Sequence, residues 1–176
     1  MFGLGKKKDQ PEPSGAGDWQ ALVERFMLQP HPKGGYYRET YRSPLQVAPA
    51  GAELRYGGAR AASTSILYLL PEGAQTALAR LRSDEIVHFY RGGPMTFVKI
   101  SPAGLVLEVV LGPDLAGGHQ VQHVIEAGWW FGGYCNPGSG YSLIGCTVAP
   151  GFDFADFRMP PRAELLSRPP RNCSGL

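Results

Sequence analysis

The stretch Glu85-Ile86-Val87-His88-Phe89-Tyr90-Arg91-Gly92-Gly93-Pro94-Met95-Thr96-Phe97-Val98-Lys99-Ile100 decides the fold class. Its two halves are rich in β-branched and aromatic residues, and Arg91-Gly92-Gly93-Pro94 between them is a turn signal. The same grammar continues outward. Thr64 to Leu70, Leu105 to Leu111, Gln120 to Ile125, Trp129 to Tyr134 and Ser142 to Val148 read as further strands. Between them stand Pro71-Glu72-Gly73, Ser101-Pro102-Ala103-Gly104, Gly112-Pro113-Asp114, Ala127-Gly128 and Pro137-Gly138-Ser139-Gly140, all turn chemistry. From Gly35 the period is also two, with Tyr37, Glu39 and Tyr41 on one face and Tyr36, Arg38 and Thr40 on the other. Short strands at close spacing, with no helical segment between them, predict an all-β antiparallel sandwich or barrel.

One helix precedes the strands. Asp18 is placed to cap it, and Trp19, Leu22, Val23, Phe26 and Met27 form an apolar stripe that Pro30 and Pro32 terminate. Residues 1–17 read as a disordered leader, 18–160 as the domain, 161–176 as a loosely docked tail, and Val47 to Arg60 as an Ala/Gly-rich loop. With 176 residues, 43% of them hydrophobic, the chain has material for one packed core. Its 24 glycines and 16 prolines are too many for a helical bundle and too dispersed for low complexity.

A formal net charge of +2 gives no sign-dominated field toward nucleic acid or an anionic membrane. No apolar run is long enough to span a bilayer, and nothing resembles a secretory h-region. The three cysteines, Cys135, Cys146 and Cys173, fit neither a CxxC nor a Cys/His ligand spacing. A reducing, cytoplasmic setting is the expectation.

Six residues separate Glu85 from Gly92, and Glu126-Ala127-Gly128 follows some forty residues on. This spacing resembles the two motifs of the cupin superfamily. Four stretches extend the likeness to one cupin group, the fifth of domain catalogues, a domain of unknown function with the jelly-roll of RmlC-like proteins. They are Leu28 to Tyr41, Thr64 to Leu70, Ser83 to Tyr90 and Gly145 to Phe157. The resemblance implies a single cupin double-stranded β-helix (jelly-roll) barrel, a ligand cavity in its mouth and a homodimer built by sheet extension. The segment from Gly35 to Arg42 would lie near the partner, and Tyr36 is the interface aromatic to test. The apolar set turned outward, and so available to a partner, would include Ile86, Tyr90, Val110 and Ile125 or their alternates.

Cupin metal sites need converging imidazoles and a carboxylate. In the resemblance, the imidazole places hold Ala79, Leu81 and Phe131, so neither metal nor cofactor is expected. Alternation sends His88 to the face opposite Glu85; a bulge would turn it inward, and it stands among the ligand-contact candidates. Gly35-Tyr36-Tyr37-Arg38-Glu39 also resembles the GFFxE element of dTDP-4-dehydrorhamnose 3,5-epimerases, which implies ligand contacts from Tyr37 and Glu39.

Glu85 is the candidate general base, with Tyr90 or Tyr134 as acid. The bland alternative is a structural carboxylate bonded to Arg80 or Arg82. Trp130, in the run Trp129-Trp130-Phe131, is a candidate stacking wall, or else core. Asp153 and Asp156 are expected to cap turns or pair with arginines. The leading functional expectation is a small polar, carbohydrate or nucleotide-sugar-like ligand and a metal-independent isomerase or epimerase. The alternatives are a catalytically silent binding module and a metal-dependent oxygenase or lyase.

Overall fold

In the computed structural model, which describes residues 18–48 and 55–160, twelve strands follow one helix. The helix α1 (Trp19–Arg25) is followed by β1 (Gln29–Pro30), β2 (Tyr36–Arg42), β3 (Gln46–Val47), β4 (Arg60–Ala61), β5 (Thr64–Pro71) and β6 (Ala79–Arg80). Then come β7 (Asp84–Gly92), β8 (Met95–Ile100), β9 (Val106–Leu111), β10 (Gln122–Ile125), β11 (Trp130–Cys135) and β12 (Tyr141–Ala149). A 3-10 turn at Phe154–Asp156 closes the described chain. The leader, the tail and residues 49–54 of the Ala/Gly-rich loop lie outside the described residues.

A six-stranded sheet in the order β1-β2-β5-β12-β7-β10 packs on a four-stranded sheet in the order β6-β11-β8-β9, all antiparallel. This is the all-β jelly-roll expected, although no hydrogen-bonded ladder closes the two sheets into one barrel. The turn at Gly92, whose φ of +93° suits glycine, carries the chain from one sheet to the other, so β7 and β8 are not a hairpin. Between the sheets lies a core that includes Tyr68, Leu70, Val87 and Ile144 from one side and Met95, Phe97, Leu111 and Phe131 from the other.

The outer face of the large sheet is covered at one end by α1. Leu22 and Leu28 pack there on Leu69, Tyr141 and Leu143, with Trp19 against Tyr36 at 5.4 Å. The helix is shorter than its stripe. Met27 is 70% exposed with φ +51°, so it turns the chain out of the helix instead of extending its apolar face. Asp18 makes no side-chain cap bond.

One irregularity matters for function. The pairing of β2 with β5 shifts register between Glu39 and Tyr41, so Thr40 is an extra residue. Past the bulge, alternation is reversed: Tyr41 turns outward, 51% exposed, and Arg42 turns inward beside Glu39. The regular alternation read from the sequence fails at this residue.

Candidate functional site

The six-stranded sheet lays out the floor of a cavity of about 460 Å³ in three rows. In register across β5, β12 and β7, Thr64, Val148 and Glu85 make the first row. Ile66 and Cys146 belong to the second and Tyr68 to the third. Strand β2 continues them, Arg42 opposite Thr64, Glu39 opposite Ile66 and Tyr37 opposite Tyr68. Leu81 and Phe131 supply the facing wall.

The mouth is built by the turn His31-Pro32-Lys33-Gly34-Gly35. His31 N–H donates to Gly35 O (2.9 Å) and Gly34 N–H to His31 O (2.9 Å). The turn needs both glycines, at φ +106° and +72°. Tyr68 Oη donates to Gly34 O at 2.5 Å, tying turn to floor. Lys33 then reaches inward, its Nζ 4.4 Å from the Phe131 ring centroid and 5.5 Å from that of Tyr68.

These contacts set the protonation states. His31 Nδ1 accepts the Lys33 amide hydrogen at 3.1 Å, which leaves the ring proton of a neutral imidazole on Nε2. Burial, and then the Lys33 charge, lower the His31 pKa to about 4. Burial first, then neighbouring Cys146 and Glu85, raises the Tyr68 phenol, so it remains protonated. The Cys146 thiol is pushed up by burial and by Glu85, against a smaller opposing pull from Lys33. Cys146 thus feels both the Glu85 carboxyl and the Lys33 ammonium.

At the rim, Arg42 grips Glu39 with two bonds, Nε to Oε1 at 2.8 Å and Nη2 to Oε2 at 2.7 Å. Its guanidinium also donates to Phe152 O. Phe152, Phe154 and Phe157 form an edge-to-face triad beside it, and Asp153 accepts from Ala155 N–H as a turn cap.

A model of the family described as Cupin superfamily (DUF985) matches residues 20–160. The chain belongs to this cupin family. An uncharacterised protein of Saccharomyces cerevisiae is 30% identical over 158 residues, covering 85% of this chain and 78% of its own. A hypothetical protein from Leishmania major superposes with a TM-score of 0.76 at 30% identity, over 84% of this chain and 90% of that one. A Shewanella oneidensis protein gives 0.75 at 35%, over 84% and 87%. Oxalate decarboxylase from Bacillus subtilis shares the fold alone, at 14% identity and a TM-score of 0.53, over 78% of this chain and 33% of that one.

In this DUF985 cupin the sequence candidates separate. Tyr37, Glu39 and Glu85 line the one cavity. Tyr90, Tyr134, Trp130 and His88 do not. Tyr90 sits where β7 slips register against β12, turns outward and covers Gly145. Tyr134 and Trp130 share the outer face of β11, Trp130 beneath the Arg80 guanidinium at 4.5 Å. His88, two residues before the slip, keeps the plain alternation and bonds Gln122 (3.1 Å) and Thr147 (3.3 Å) on the outer face.

Glu85 is only 5% exposed and pairs with neither Arg80 nor Arg82. The Cys146 thiol lines the same cavity floor one row away, close enough for Glu85 to push its pKa up. Asp156 does pair with an arginine, Arg60, at 2.7 Å. At the imidazole places, Leu81 and Phe131 present hydrocarbon to the cavity and Ala79 is buried in register with Phe131. A divalent metal there would find the Glu85 carboxylate and at most the Cys146 thiol, too few donors, so these residues do not fit one. Among the described residues no group of three His, Cys, Asp or Glu has metal-binding geometry.

His31, Lys33, Tyr68 and Cys146 lie inside stretches that carry the family likeness, yet neither they nor Arg42 were singled out as site residues. The Pro-Lys-Gly-Gly turn hinted at a tight loop, but which way Lys33 points depends on Phe131 and Tyr68, which are distant in sequence. No helix among the described residues is long and apolar enough to cross a membrane.

Proposed function

We propose that the cavity binds a small polar, ring-bearing molecule of carbohydrate type and that Glu85 moves a proton on it without a metal. The observation that carries this reading is a carboxylate 5% exposed in a cavity floor with no ion-pair partner among the described residues. Burying a carboxylate without a cation costs stability, and such costs concentrate where a site uses them.

The surroundings suit the chemistry. Tyr37, Phe131 and the Phe152 triad offer faces to a sugar ring, and Glu39, Arg42 and Asp153 at the rim offer hydrogen bonds to hydroxyls. For a carbon acid next to a carbonyl, Glu85 takes the proton and the electron pair moves to the carbonyl oxygen. The Lys33 ammonium stabilises the negative charge that develops there. Reprotonation from either face completes an isomerisation or epimerisation. Lys33 and neutral His31 replace Tyr90 and Tyr134 as proton donors.

The test is a screen of nucleotide sugars and ketoses in deuterium oxide, read by mass spectrometry. Enzyme-dependent deuterium uptake that falls about 100-fold or more in Glu85→Gln is expected, in line with general-base contributions. Tight binding with no exchange in the wild type would leave a binding module and sink the catalytic reading.

A further inference from the structure

A second cavity, of about 350 Å³, opens on the other side of Leu81. Four arginines line it, Arg55, Arg80, Arg82 and Arg158, with the Ala127-Gly128 turn and Asp156. The whole chain carries a formal charge of only +2, so this convergence of guanidinium groups is local. Asp156, the one carboxylate lining it, is already held by Arg60 Nε at 2.7 Å and Nη2 at 3.0 Å. Its distance to Arg82 Nη1 is 3.8 Å, a weak pairing with a half-exposed side chain. Among the described residues, Arg80 and Arg158 have no carboxylate partner.

The arginines are positioned as well as gathered. Arg80 sits over Trp130, its Cζ 4.5 Å from the ring centroid. Arg82 and Arg55 brace each other, Arg82 Nη1 donating to Arg55 O (2.7 Å) and Arg55 Nε to Arg82 O (3.0 Å). Arg80 and Arg158 are joined by two backbone bonds, 2.8 and 3.0 Å, that fix the spacing of their side chains. A side chain at Gly128 would meet nothing within 4 Å, so the turn leaves the mouth open. Like charges brought together in a concavity repel, and a bound polyanion relieves that repulsion. Planar guanidinium forks match the oxygen pairs of phosphate bidentately.

We infer that this cavity is a binding site for a di- or oligophosphate group, free or carried by a small molecule. It stands independently of the Glu85 cavity, which shares only Leu81 with it.

The test titrates the full chain calorimetrically with pyrophosphate, inorganic phosphate, a nucleoside diphosphate and sulfate, at one ionic strength set with chloride. Saturable binding of pyrophosphate at one site per chain, tighter than sulfate, is expected. Equal affinity for the nucleoside diphosphate identifies the diphosphate alone as the recognised group, and tighter binding identifies a carried one. Arg82→Gln with Arg158→Gln should weaken binding about tenfold or more, since each removes a charge-assisted bond to the phosphate oxygens. Arg158→Gln alone, whose side chain makes no hydrogen bond among the described residues, guards against a folding defect. Arg38→Gln, on the outer face of β2, should change nothing. Sulfate binding as tightly as pyrophosphate, variants binding like the wild type, or a short oligonucleotide binding more tightly than every small anion would each overturn the assignment.

Discussion

The ammonium of Lys33 stands 4.4 Å from the centroid of the Phe131 ring, and the ring belongs to the wall facing Glu85. A residue of the entrance turn thereby becomes the cation of the cavity. Lys33→Met should lower the free energy of unfolding by no more than about 2 kcal/mol, as expected for a cation–π contact on a buried ring. It should also lower any Glu85-dependent deuterium exchange about tenfold or more, with Lys33→Arg recovering part of it. A clear loss of stability with Glu85-dependent exchange unchanged would show that the contact is structural only.

The donor set around Glu85 predicts the metal content of the purified protein. With Leu81 and Phe131 lining the cavity, elemental analysis should find far less than one iron, nickel, manganese or zinc per chain. A stoichiometric metal would mean that His31 or Cys146 moves to join Glu85.

Acid should weaken this fold partly through His31. Its folded-state pKa is about 4 against an ordinary 6.5, so between those values the unfolded chain binds more protons than the folded one. The stability from neutral His31 is complete above about pH 6.5 and is lost as pH falls toward about 4. Denaturant midpoints measured at pH 7 and pH 4.5 should therefore separate less in His31→Gln than in the wild type. An equal separation would place the acid sensitivity in the carboxylates and in His123, whose pKa burial also lowers.

Gly35 is the pivot of the entrance. At φ +72°, a β-carbon there would lie 2.6 Å from Tyr68 Oη and 2.8 Å from Leu69 O. Gly35→Ala should cost about 1–3 kcal/mol and displace the His31-to-Lys33 turn. Near-wild-type stability, measured by urea unfolding, would show that the turn relaxes freely.

We propose that the protein is a homodimer built on the edge of β2. Strand β1 covers only Tyr36 and Tyr37, so Arg38 to Arg42 have no further strand beyond them among the described residues. Tyr41 is exposed there, whereas Tyr36 is packed under Trp19 of the chain's own helix and is the wrong residue to test. Light scattering at micromolar concentration should return about twice 19.0 kDa, with Tyr41→Lys shifting the mass toward the monomer. A monomeric wild type would refute the proposal. Of the outward candidates, Tyr90 is exposed, whereas Ile125 pairs with Glu85 and points into the core, and its neighbour Val124 is the apolar residue exposed on that strand.

Local chemistry in the sequence was enough for the eight longer strands and their turns, though not for the two-residue β1, β3, β4 and β6, because alternating β-branched and aromatic runs broken by Gly and Pro have few other solutions. It was also enough to put Glu85, Glu39 and Tyr37 on inward faces, since a strand with one buried face has only two phases. The phase past Thr40 was not legible. A bulge depends on how two distant strands pair, and it alone decides that Arg42, not Tyr41, meets Glu39. His31, Lys33, Tyr68 and Cys146 join Glu85 for the same reason. They come from an entrance turn and separate strands of one sheet, and only the packing of that sheet against Phe131 closes the distance between them. The arginine cavity is a further case. Arg80 and Arg82 are neighbours in sequence, but Arg158 reaches them through a backbone bridge across the fold, which no local pattern encodes.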